Sequence, residues 1–144
     1  MAVPERVQQI FERTPINQYL GFRMEVCEPG EAVLSMEPRE EFLQEGGTVH
    51  GGIVSALADS AAAYSFVPSL TEGERLTGVE YKVNFLEPAL ADGGLLLARA
   101  SVLRRGRRLG TTEVSVSQLD RSIARALFTF MFLEPLNARE GGGE

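Results

Sequence analysis

The sequence predicts an α+β chain in which an antiparallel sheet curls round one long buried helix, with a short helix in front. Two stretches carry that prediction. Residues 51 to about 67 are rich in Ala and set small or apolar side chains on every side, a run too long for a strand and closed by Pro68. A helix that is apolar all round is buried all round. After Glu74, by contrast, apolar residues recur at every second position, as half-buried strands require. In a chain of 144 residues such a helix needs a sheet wrapped about it, with a partner subunit covering what the sheet leaves open.

The elements follow in order. Residues 4–13 read as a short amphipathic helix: Pro4 suits the first turn, Val7, Ile10 and Phe11 form one stripe, and Thr14-Pro15 ends it. Residues 21–27 alternate as a strand with Phe22, Met24 and Val26 on one face and Cys27 on the other. A turn at 28–31 returns the chain as a second strand over 32–36; Pro38 stops it, and a polar loop runs to Gly47. Beyond the buried helix, residues 79–86 place Val79, Tyr81, Val83 and Phe85 on one face, and Pro88 with the Asp92-Gly93-Gly94 turn ends the strand. Strands over 95–103 and 111–119 flank a hairpin at Gly106. The last strand, 123–133, alternates Phe128, Phe130 and Phe132. One domain over 1–135 is expected, large enough to bury roughly 68–70% of its unfolded surface, with 136–144 a disordered tail.

Composition removes several classes of function. A net charge of -6 argues against nucleic acid, whose phosphates need clustered basic surface. The single cysteine, Cys27, cannot form an internal disulfide and has no evident base, and no Cys/His cluster offers metal-ligand spacing, so no metal is expected. The start of the chain lacks a basic n-region and an apolar h-region, and no stretch reaches the ~18 uncharged apolar residues of a membrane span. A cytoplasmic location without a membrane partner is the expectation.

Chemistry concentrates in the helix. Between Glu45 and Glu72 the only formal charge is Asp59. An isolated carboxylate in apolar surroundings costs several kcal/mol, roughly, unless it is paired or hydrogen-bonded, and chains keep one mainly where a reaction needs it. Gly51 and Gly52 open the same helix, where unpaired N–H groups make an anion site. A base and an oxyanion donor in one turn-and-helix unit point to acyl transfer or hydrolysis. His50, the only histidine, stands nine residues before Asp59, about two and a half turns, so its better reading is a ring that holds the loop. Tyr64, Phe66 and Phe85 either line an acyl pocket or fill the core.

The run Gly47-Thr48-Val49-His50-Gly51-Gly52, the Leu57-Ala58-Asp59 that follows, and the segment from Val79 to Pro88 together resemble the hotdog-fold acyl-CoA thioesterases, in particular the branch with the phenylacetate-pathway and medium-chain enzymes. The resemblance spans about 19–133. It implies a homodimer joined sheet edge to sheet edge, often paired again into a tetramer, with the active site between protomers. It also implies that Asp59 attacks, or activates water to attack, the thioester carbonyl while the Gly51 N–H of the opposite subunit receives the carbonyl oxygen. Gly52 lies beside that oxygen. No cofactor is implied, since coenzyme A is part of the substrate. Related sequences often carry Asn where Gln44 stands, and Ser or Thr near Gly78, where the neighbouring Thr77 points the other way. Gln44 keeps an amide with one more methylene of reach.

Four arginines, Arg104, Arg105, Arg107 and Arg108, crowd round Gly106. They are either solvated charges at a hairpin tip or, through Arg107 and Arg108, a local patch that steers coenzyme A phosphates toward an acidic protein. The leading expectation is hydrolysis of short, medium or aromatic acyl-CoA. A non-catalytic acyl-CoA sensing module would have little use for a charged Asp59, and a dehydratase would need its histidine and acid facing one group.

Overall fold

The computed structural model describes residues 3–136; the expected tail lies outside them from position 137 on. Two short helices, α1 (Glu5–Arg13) and α2 (Pro15–Tyr19), lead into β1 (Arg23–Glu28) and β2 (Glu31–Met36). A single 3-10 turn and a loop follow, then the long helix α3 (Gly51–Tyr64), a second 3-10 turn at Val67–Ser69, and the strands β3 (Arg75–Phe85), β4 (Leu96–Arg105), β5 (Leu109–Gln118) and β6 (Arg121–Leu133). The six strands form one antiparallel sheet ordered β1-β2-β4-β5-β6-β3.

The sheet wraps α3 from one side. Leu57, Ala58, Ala61 and Ala62 are fully covered, and they meet Leu34 of β2, Ala98 of β4, Val114 and Val116 of β5, and Phe128 of β6 in the core. Small side chains on α3 let sheet and helix approach closely. Covering each larger apolar side chain contributes about 1.5–3 kcal/mol toward the cost of ordering the chain.

Four details depart from the sequence-based expectation. Pro15 ends α1 but also begins α2, because its fixed φ and missing N–H suit a first helical turn. A bulge at Glu25 shifts β1 by one residue, so Cys27, not Val26, joins Met24 on the covered face, pairing with Ala32 beside α3. A second bulge leaves Val79 without a partner between Gly78 and Glu80, while Tyr81, Val83 and Phe85 pair with Phe128, Ala126 and Ala124 toward the helix. The long helix also stops at Tyr64, three residues early, where the Ser65 hydroxyl donates to the Ala62 carbonyl at 2.7 Å.

Helix α3 is not buried all round. Gly52 and Asp59 are exposed and Ala56 and Ala63 half-covered, which makes one open stripe at helical spacing. The physical reason lies in the strand order: among the described residues β3 is an edge strand, bonded to β6 on one side and to no strand on the other. Val79, Tyr81, Phe85 and Leu86 are each more than half exposed along that edge. An unpaired edge beside an apolar helix stripe is a surface that folded chains rarely leave bare.

Candidate active site

Two clefts lie along β3. The first, about 380 Å³, is bordered by Gln44, Thr48, Gly51, Phe85, Leu86 and Glu87, with Val54, Ala89 and Ile123 as its apolar floor. The second, also about 380 Å³, is bordered by Asp59, Gly78, Val79, Glu80, Tyr81 and Phe128. Gly51 and Asp59 thus sit in different clefts of one chain. Eight residues of α3 separate them, about 12 Å of helix.

The first cleft is built round the start of α3. His50 is the N-cap, and its Nδ1 accepts from the Gly52 N–H at 2.9 Å. The N–H groups of Ile53 and Val54 are taken by the His50 carbonyl at 2.9 and 3.2 Å. Gly51 is left: among the described residues its N–H has no acceptor. It therefore points the positive end of the helix into the cleft with a free donor. The cap also separates the two glycines, since Gly52 spends its N–H on the ring. A Cβ at Gly52 would stand 2.9 Å from that Nδ1, and one at Gly51 would stand 3.0 Å from the Phe85 ring. At Gly52 a side chain would push against the capping ring, whereas at Gly51 the exposed Phe85 ring needs to give by only a few tenths of an ångström.

Gln44 lines the same cleft in a tight loop. Its backbone N–H donates to the Thr48 carbonyl and its side-chain amide to the Thr48 hydroxyl, both at 2.9 Å, while Gly46 and Gly47 take the positive φ values that close the turn. The amide oxygen of Gln44 remains available toward the cleft.

Asp59 carries no ion pair or hydrogen bond among the described residues. Its side chain is exposed in the single chain, which corrects the expectation of a buried charge: β3 passes it at an edge and covers one side only. The atoms round it still desolvate the carboxyl enough to raise its pKa above the ordinary aspartate value.

The remaining candidates separate. Tyr64 is buried at the far end of α3, its hydroxyl accepting from the Asn17 amide at 3.0 Å and its ring edge-on to Phe11, so it closes the core beneath the N-terminal helices and lines neither cleft. Phe66 is core, packed on Phe130 and Phe132. Thr77 pairs with Met131 on the outer face, and at Gly78 a Cβ would stand in ordinary contact with the Phe130 ring, 3.9 Å away. In the arginine cluster, Arg105 bonds Glu74 at 2.6 Å and stacks over Phe132, whereas Arg107 and Arg108 stay exposed on a shallow cleft with Glu74 and Glu134. Burial pushes the Cys27 thiol up to about 11, and its Sγ lies 3.4 Å from the Tyr64 carbonyl, a structural position. No group of His, Cys, Asp and Glu among the described residues could hold a metal ion, and no helix there is long and apolar enough to cross a membrane.

Comparison with known proteins fits this geometry. The family model for the Thioesterase superfamily matches residues 46–124, which include α3 and the strands β3, β4 and β5. A thioesterase family protein from Silicibacter pomeroyi is 34% identical, covers 90% of this chain and 97% of its own, and superposes with a TM-score of 0.80. A variant of the phenylacetic acid degradation protein PaaI from Thermus thermophilus is 34% identical over 83% of this chain and 99% of its own, with a TM-score of 0.75. The 1,4-dihydroxy-2-naphthoyl-CoA hydrolase of Listeria monocytogenes is 28% identical over 71% of this chain and 81% of its own length. With its sheet folded round one central helix and its family match across that helix, the chain belongs to the thioesterase superfamily and has the hotdog fold.

Proposed function

We propose that the protein hydrolyses acyl-CoA thioesters, with short, medium or aromatic acyl groups, to the free acid and coenzyme A. The observation that carries this reading is the free Gly51 N–H at the head of α3, in a cleft of the size and apolarity that an acyl group needs. The carbonyl oxygen of the thioester takes that N–H, and Asp59 supplies the base or the nucleophile. One domain over 1–135 supplies every residue of the site, drawn from two copies of the chain.

Because the two groups occupy separate clefts, the reaction needs two copies of the chain. Along β3 the Asp59 cleft lies at 78–81 and the Gly51 cleft at 85–86. If two β3 edges pair antiparallel about an axis crossing the strand between them, each Asp59 comes to face the partner's Gly51. The same pairing covers Val79, Tyr81 and the open stripe of α3, and it sets Arg107 and Arg108 of one copy toward the mouth of the partner's cleft. Two such dimers then pair into a tetramer through the remaining sheet surface.

The test is a panel of short, long and aromatic acyl-CoA esters with released thiol detected. Turnover supports the proposal; binding without turnover on any ester overturns it in favour of a sensing module. Sedimentation should give a multiple of the 15.7 kDa chain. Val79→Lys should shift it toward the monomer and remove turnover together, because the site is assembled only across the edge. Replacing both Arg107 and Arg108 by Ala should raise KM for acyl-CoA roughly 5–10-fold at low salt and leave kcat within about twofold, from the loss of two solvent-screened contacts. An unchanged KM at low salt removes the phosphate role of those residues.

A further inference from the structure

The segment that presents Gly51 is not part of the main sheet. Residues 48–50 run between 42–44 and 89–90 in a small patch of their own: Leu43 bridges Val49, Thr48 bridges Leu90, the Val49 N–H donates to the Ala89 carbonyl at 2.9 Å, and the His50 N–H donates to the Phe42 carbonyl at 2.8 Å. The position of the Gly51 N–H depends on where this patch is held, and one side chain ties it to β5. Gln118 ends that strand on its covered face and is 1% exposed. Its Oε1 accepts from the Leu90 N–H at 2.8 Å, and its Nε2 donates to the Leu90 carbonyl at 2.8 Å and to the Gly94 carbonyl at 3.0 Å.

The amide thus pairs with Leu90 in both directions, as the backbone of a neighbouring strand does in an antiparallel ladder. It uses both donors on one loop, and its oxygen takes the Leu90 N–H there and the Arg121 guanidinium at 3.5 Å, so the full capacity of the group is engaged. The loop is shaped to receive it: a Cβ at Gly93 would stand 2.6 Å from the amide carbon, so a side chain there cannot coexist with Gln118 in place. From Gln118 the connection runs through Leu90 to Thr48 and through Ala89 to Val49, and then to the cap residue His50 and to Gly51. None of these links touches the acyl cleft through Gln118 itself, which is absent from its lining.

We propose that Gln118 is a positioning residue for hydrolysis: through Leu90 it sets the placement of the Gly51 N–H that receives the carbonyl oxygen. The inference rests on the reading of Gly51 given above. Oxyanion donors act on charge that develops in the transition state, so a displaced donor costs kcat while ground-state binding changes little.

The experiment uses the full-length protein with two variants. Gln118→Leu removes the three bonds to the loop at similar volume. Gln118→Glu keeps an acceptor for the Leu90 N–H, and its second oxygen can donate to the Leu90 carbonyl only when protonated; when ionised that oxygen faces two carbonyls. Arg121, itself paired with Glu87, stands 3.5 Å from the first oxygen and favours the ionised form, which sets how far the pH must fall. Expected is a roughly 10–100-fold lower kcat in Gln118→Leu with KM within about twofold, a smaller loss than deleting the donor outright. For Gln118→Glu, kcat relative to wild type should rise as pH falls, measured at a temperature where both are fully folded. A nitrogen-proton correlation spectrum gives an arm independent of turnover: the Gly51 amide signal should move in Gln118→Leu and return toward its wild-type place in Gln118→Glu at low pH. Lower melting temperatures with unchanged kcat in the folded protein, or a Gly51 signal that stays put in both variants, overturn the proposal and leave Gln118 a loop staple. If the wild type itself hydrolyses no acyl-CoA, the proposed function fails, and the Gly51 signal still decides for Gln118.

Discussion

Asp59→Asn is expected to lose acyl-CoA hydrolysis by ~10²–10⁴-fold while folding as well as the wild type or better. The stability half of that expectation follows from the sign of the pKa shift. Desolvation raises the folded-state value, so the folded chain disfavours the ionised form relative to the unfolded chain. Any stabilisation from this group is therefore present at low pH, where the carboxyl is protonated, and is lost as pH rises through its folded pKa. Replacing it by an amide removes that penalty at neutral pH, and thermal melting checks the direction. The activity half has a pH signature in the wild type. The catalytic form is the carboxylate, so kcat should fall on the acid side with a midpoint above the ordinary aspartate value of about 3.9. An acid limb at or below that value, or a D59N protein that melts far earlier, would show the carboxyl to be a structural group. A single turnover in ¹⁸O-water tests for the covalent route: label appearing in Asp59 marks a mixed anhydride formed by direct attack and opened by water at the Asp59 carbonyl.

Much of the scaffold was legible because two periods dominate the chain. The run from Gly51 onward contains no alternation and too many small residues for a strand, and the three phenylalanines of β6 could only be alternate inward residues of a sheet. What periodicity cannot report is an added residue. The bulges at Glu25 and Val79 leave composition and pattern almost unchanged, yet the first exchanges Val26 for Cys27 on the covered face and the second lies beside the Asp59 cleft. The other misreading concerned what does the covering. An apolar helix states that it must be buried, but not that its own sheet leaves one stripe open along an edge strand.

The site was legible in its chemistry and less so in its connections. Asp59 and the glycines stood out because charge and backbone freedom are rare in that stretch. The resemblance singled out Gly51 over Gly52, but the physical cause was not visible, because it depends on the His50 ring turning its Nδ1 back onto one N–H and sparing the other. Tyr64 was ambiguous for a similar reason: its partners Asn17 and Phe11 come from the N-terminal helices, far away in sequence. Gln118 did leave a signal. Thr112, Val114 and Val116 alternate inward on β5, which makes position 118 an inward amide, and a buried amide needs partners.

That distinction between the two glycines yields the sharpest expected effect after Asp59. Gly51 is the first residue of α3, a position where proline fits the helix and merely lacks an N–H that the helix itself does not use. The preceding residue, His50, has φ -57 and ψ 133, an extended conformation that a following proline prefers. Gly51→Pro therefore deletes the proposed donor without breaking the helix or the His50 cap on Gly52. Its Cβ does press on Phe85, as that of any side chain here would at 3.0 Å, and its ring adds Cγ and a Cδ that stands where the amide hydrogen was. Gly51→Ala carries the same Cβ and keeps the N–H, so it measures the crowding of Phe85 alone. The prediction concerns the difference between them: kcat for Gly51→Pro should lie ~10²–10³-fold below that for Gly51→Ala, the cost of one oxyanion donor. Equal kcat values would mean that the carbonyl oxygen is received elsewhere. The pair would then locate the loss in the packing of Phe85 on the head of the helix, because the crowding is the only change the two variants share.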